Sequence, residues 1–213
     1  MAQLDGICAA VRTEFDRVDE AREEALATSR RIIRNAATTI KHVHRREFAE
    51  AAALLAETKQ MAAELIAGVA GFPTIAGAGF VQDALKECAE ALILTAVVRG
   101  EDVPLPAEAG LPPAPYLNGM AEVVGELRRH VLDLIREEDP ARAEPVLSTM
   151  DDIYHAIMSF DYPDAVSLGL RHRADAARGL VERTRGDLTN ALQAARLERR
   201  LADLRARLPE DTS

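Results

Sequence analysis

The chain has 213 residues, of which 48% are hydrophobic and 29% charged, an ordinary globular balance that excludes a disordered chain and suits one domain with one core. Aromatic residues are only 4% with no Trp, which leaves little for base-stacking platforms, and a net charge of −9 argues against a general polyanion binder. No apolar run reaches the ~18–20 residues of a membrane span, the first residues lack an apolar signal-peptide core, and Cys8 and Cys88 form no spaced motif, so the expected compartment is the cytoplasm.

In chain order, helix formers dominate. No Pro or Gly occurs between Gly6 and Gly68. The pattern predicts a long first helix from about Leu4 to His44. A second follows from about Glu47 to Ala67, with Phe48, Leu54, Leu55, Met61 and Leu65 on its apolar face. Gly68 to Gly79 holds four Gly and Pro73 and reads as a loop. A third helix covers about Phe80 to Val98. Gly100 to Pro115 carries five prolines and reads as a connection. The fourth helix spans about Tyr116 to Arg136, and the fifth runs from Pro140 to about Phe160. Asp161-Tyr162-Pro163 predicts a turn. A last helical region follows from Asp164 to Leu208, with a break expected near Gly179 or Gly186. Period-2 alternation is missing, so the class is all-α.

Charge is unevenly spread along this chain. Thr28 to Arg46 holds six Lys/Arg, two His and no acid, a charge of +6 that leaves −15 for the rest. At ~100° per residue, Arg30, Arg34, Lys41 and Arg45 fall within a stripe about 60° wide, flanked by His44 and Arg31. Ile32, Ile33, Ala36, Ile40 and Val43 cluster on another face. The stripe reads either as a solvated surface or as a track for a polyanion's phosphates.

Acids pair on two successive helices. Glu87 and Glu90 are i, i+3 on the third, and Glu122 and Glu126 are i, i+4 on the fourth, so each pair shares a helix face. Four converging carboxylates would repel unless a hard cation neutralised them. Oxygen-only ligation favours Mg²⁺ or Mn²⁺, and such a site can activate water and clamp a phosphodiester. Acids at this spacing are also common on solvated faces. The apolar neighbours of Glu90 and Glu126 place both near the core seam.

At these residues the sequence resembles a known family. Tyr116 to Arg129, YLNGMAEVVGELRR, is similar to the signature helix of the translin family, and most to its translin-associated factor X branch, with Tyr-Leu-x-Gly-x-Ala-Asp-x-x-Gly-Glu-Leu. Glu87 to Ala91 resembles that branch's Glu-x-x-Glu-Ala. Ser29 to Ile32 and Ile40 to Arg45 look like its first helix. The resemblance covers roughly residues 15–192 and implies a single translin-like domain over 1–213, a bundle of about six to seven helices. It further implies a metal-dependent endoribonuclease acting on single-stranded or partly single-stranded RNA. Glu87, Glu90, Glu122 and Glu126 would hold Mg²⁺, or Mn²⁺, and do the chemistry. Arg30, Arg34, Lys41, His44 and Arg45 would bind nucleic acid. Glu122 departs from the branch's Asp by one methylene. The family also implies a homo-oligomer, a closed octamer. The competing reading is a non-catalytic shell that binds RNA or ssDNA, and a third is a helical scaffold that binds neither.

Other clusters read as structural. Asp152 and His155 share a face, but the chain has no Glu-x-x-His of a di-iron bundle. Cys88, turned ~100° from its neighbours, reads as a small buried residue. Arg171-His172-Arg173 either extends the basic surface or forms a solvated face. Leu197, Leu201, Leu204 and Leu208 suggest a partner seam or, by default, packing on the bundle.

Overall fold

The computed structural model describes residues 2–207, and among them there is no strand. Six long helices carry the fold: α1 (Ala2–His44), α2 (Phe48–Val69), α3 (Gly79–Arg99), α4 (Pro113–Arg136), α5 (Ala143–Met158) and α6 (Leu170–Arg207). The all-α expectation holds. The chain divides into two compact units, Met1–Met120 and Ala121–Ser213, and α4 runs unbroken through the division.

In the first unit α1 packs on α2 and α3, and α2 on α3. Ile32, Ala36, Ile40 and Val43 enter the core from α1, Leu55, Met61 and Leu65 from α2, and Leu85, Cys88, Ile93 and Leu94 from α3. Each fully buried Ile, Leu, Val or Met side chain stabilises by about 1.5–3 kcal/mol. Of the expected apolar face of α1, only Ile33 is half-buried rather than buried. The first four turns of α1 lie outside this core, with Leu4, Ile7, Val11 and Phe15 exposed.

No Gly or Pro ends α1. Instead Arg46 takes a left-handed φ of 61°, and the Glu47 amide donates to the His42 carbonyl at 2.9 Å. Glu47 then reaches back to His42 Nδ1 at 2.6 Å. Both predicted loops contain short helices, Pro73–Ala76 and Pro106–Ala109, each opened by proline at its first position.

In the second unit α5 packs on α6. Leu170, Ala174, Ala177, Val181 and Leu188 recur at helical spacing and are buried, as are Met150, Ile153 and Ile157 of α5. The fifth helix opens as a 3₁₀ turn, Pro140–Arg142, before the α-helix proper. The break expected at Gly179 or Gly186 does not occur. It falls earlier, where Leu168 and Gly169 both take positive φ, 53° and 81°, after a short helix Asp164–Ser167. Two glycines cost a packed helix only ~1 kcal/mol each, less than its buried face returns.

The leucine series does not pack on the bundle as the default reading held. Leu197, Leu201 and Leu204 are exposed, and Leu208 lies outside the described residues.

Candidate metal centre and nucleic-acid interface

The basic stripe is where the helical wheel puts it. Arg30, Arg34, Lys41 and Arg45 are exposed on α1, opposite the residues that enter the core, and His44 is half-buried. None of the four exposed cations forms an ion pair with a described residue, whereas the flanking Arg31 sits 4.0 Å from Glu57.

The acid pair of α3 has a different setting. Glu90 is only 8% exposed, inside a run from Cys88 to Ala96 in which every residue is buried. Glu87 is half-buried, with the Lys86 ammonium 3.3 Å from its Oε1. Cys88 between them is fully buried, and burial pushes its thiol up to about 11, against a smaller opposing effect of Lys59. It is the small apolar residue the sequence suggested.

Beside Glu90 the start of α4 makes its closest approach. A Cβ on Gly119 would lie 2.5 Å from the Lys86 carbonyl oxygen, 2.7 Å from Ala89 Cβ and 2.9 Å from the Glu90 nitrogen. Only glycine lets the two backbones meet there. Buried Tyr116 donates its hydroxyl to the Pro104 carbonyl and ties the helix start to the preceding connection, while buried Asn118 donates from Nδ2 to the Ala114 carbonyl within α4 at 2.8 Å. Burial, and secondarily Glu108, raise the Tyr116 pKa, so the hydroxyl stays a donor. The Tyr-Leu-Asn-Gly motif is thus a docking device for α4.

Glu122 and Glu126 follow one and two turns beyond Gly119 on the same unbroken helix. Both are half-buried. Glu122 Oε1 accepts from Arg173 Nε at 2.7 Å, and Glu126 Oε2 is 3.9 Å from Arg129 Nη1. Glu87 and Glu90 belong to the first unit and Glu122 and Glu126 to the second, and each pair offers carboxylate oxygens along one helix. The donors are all hard oxygens, the set that suits Mg²⁺ or Mn²⁺ rather than a soft metal.

Sequence reading missed the place of Arg173. It does not extend a basic surface but is three-quarters buried against an acid, while Arg171 and His172 are exposed. No local signal marks a pair separated by 51 positions. His155 is exposed and bonds the Asp151 carbonyl at 2.8 Å.

The chain belongs to the translin superfamily, as its likeness to solved C3PO structures shows. It is 31% identical over 198 residues to an uncharacterized protein of Methanocaldococcus jannaschii, over 91% of this chain and 86% of that one. It is 32% identical to AfC3PO, covering 87% of this chain and 97% of that chain with a TM-score of 0.80. In its complex with duplex RNA, AfC3PO matches with a TM-score of 0.79 at the same 32% identity, over 87% of this chain and 96% of that chain. No protein-family model matches the chain. No described helix is long and apolar enough to cross a membrane.

Proposed function

We propose that the chain is a metal-dependent endoribonuclease of the translin-associated factor X kind, acting on single-stranded or partly single-stranded RNA. The observation that carries this reading is the burial of Glu90, at 8% exposure, one helical turn from half-buried Glu87. Carboxylates set close together repel one another, and a hard cation bound among them lowers that cost. Glu87, Glu90, Glu122 and Glu126 would ligate one or two Mg²⁺ ions, with Mn²⁺ as a substitute. When bound, such an ion activates water and stabilises charge on the scissile phosphate. The carboxylates orient that water and take its proton. Arg30, Arg34, Lys41, Arg45 and His44 hold the strand's phosphates, which carry little base information, so sequence preference is weak.

The complex of AfC3PO with duplex RNA supports an RNA partner for a chain of 32% identity. The resemblance supports assembly into a closed homo-oligomer, an octamer. Incubating the purified protein with end-labelled single-stranded RNA and duplex RNA, in Mg²⁺ or in EDTA, tests the reading. Cleavage of the single strand in Mg²⁺ alone is expected. Binding of either RNA without cleavage in any metal would replace the enzyme with a binding shell.

A further inference from the structure

The contact between Arg173 and Glu122 is built more carefully than a surface ion pair. The guanidinium is held from two sides. Its Nε donates to Glu122 Oε1 at 2.7 Å, and its Nη1 donates to the Leu168 carbonyl at 3.0 Å. That carbonyl is presented by the left-handed pair Leu168 and Gly169, with φ of 53° and 81°. Gly169 also makes the space: a Cβ there would stand 3.1 Å from Arg173 Nη1. The chain therefore adopts a turn that L side chains rarely take, and at that turn Arg173 is anchored before it meets the acid. With Gly169 and His172, the two side chains line a cleft of about 410 Å³, so the pair is reachable from solvent.

A glutamate has three side-chain torsions and loses affinity for an ion in ordering them. A planar fork fixed at its far end orders them in advance. Resting on the metal-site reading above, we propose that Arg173 is the positioning residue of the Glu122 carboxylate. By holding Oε1 it would fix the plane of the carboxylate that is to meet the cation. Partners of this sort around a metal ligand typically govern affinity about 10–100-fold.

The sign of the effect separates positioning from simple charge. A cation beside a metal site repels the metal, so if Arg173 were only a counter-charge its removal would tighten metal binding. If it positions Glu122, removal loosens it. The test is Mn²⁺ binding by calorimetry on the full chain, without RNA, for wild type, Arg173→Ala and Arg173→Lys. Arg173→Ala is expected to bind Mn²⁺ about 10–100-fold more weakly, with kcat for RNA reduced and KM unchanged. Arg173→Lys keeps the charge but cannot reach both partners with a fork, and its expected loss is about tenfold. Should circular dichroism show that Arg173→Ala has lost helicity, Arg173→Lys alone decides. Affinity equal to or tighter than wild type in the folded variant overturns the proposal. Wild type that binds no Mn²⁺ overturns the metal-site reading itself, and this inference with it.

Discussion

Two charged stretches of the first unit, Thr28–Arg46 on α1 and Glu87–Glu90 on α3, are placed in opposite ways. The cations of α1 stand in water on the face away from the core, while Glu90 of α3 is drawn into a wholly buried run. An exposed Lys or Arg costs almost nothing to keep, so a basic stripe by itself says little beyond an attraction for phosphate. A buried carboxylate must be compensated and is retained against its own cost. The acids therefore bear on chemistry and the stripe on affinity, and the two should separate cleanly on mutation.

The largest separation is expected from the acids. Glu126→Ala should abolish Mg²⁺-dependent cleavage, by at least ~100-fold, with RNA binding near normal in a filter assay. Losing one carboxylate also relieves repulsion, so the apo protein should melt no lower than wild type. Glu122→Asp should keep activity or raise it. Retained cleavage in Glu126→Ala would reduce that residue to a surface acid.

Next in size is the backbone approach that brings α4 to Glu90. Gly119→Val would place carbon 2.5 Å from the Lys86 carbonyl oxygen, against backbone that cannot rotate away. A loss of about 1–3 kcal/mol is expected in urea unfolding. An unchanged midpoint would show that the approach is looser than described.

The stripe should give a smaller, salt-dependent effect. Arg34→Glu with Lys41→Glu should weaken RNA binding while helicity stays intact. Each phosphate that the variant no longer neutralises should lower the log–log salt slope by ~0.7. The same slope in both proteins would remove this face from the interface.

The smallest effect concerns the two thiols. Cys8 is exposed and should react with a thiol reagent at pH 8, whereas Cys88 should react only on unfolding. The native Cys88 thiol keeps its proton to about 11, against an ordinary 9.0, so the unfolded chain binds fewer protons in between. Its contribution to stability is therefore expected to fall as pH rises through that window, measurable as a decreasing urea midpoint.

Much of the fold was legible because its helices are long and their apolar spacing is regular. The turn after α1 was placed within a few residues, yet its agent, Arg46 at positive φ, leaves no mark in composition because any glycine rule overlooks it. The converse error arose at Gly179 and Gly186, which look like breakers but sit in an unbroken α6, while the break at Leu168–Gly169 serves Arg173. The acids were legible from their spacing and from resemblance. The Tyr116–Gly119 motif was recognised as a pattern, but its physical reason, backbone meeting backbone, needs the structure. Arg173 was illegible, since its partner lies on another helix 51 positions away.

The central claim is that the buried acid serves chemistry and not folding or binding. Glu90→Gln tests it most directly, because it removes the charge and keeps the shape. Single-turnover cleavage of labelled RNA should be measured with protein in excess, alongside the Kd for the same RNA. Glu90→Gln should show an unchanged Kd, a melting temperature no lower than wild type and no Mg²⁺-dependent cleavage. Cleavage at the wild-type rate by Glu90→Gln would contradict that claim.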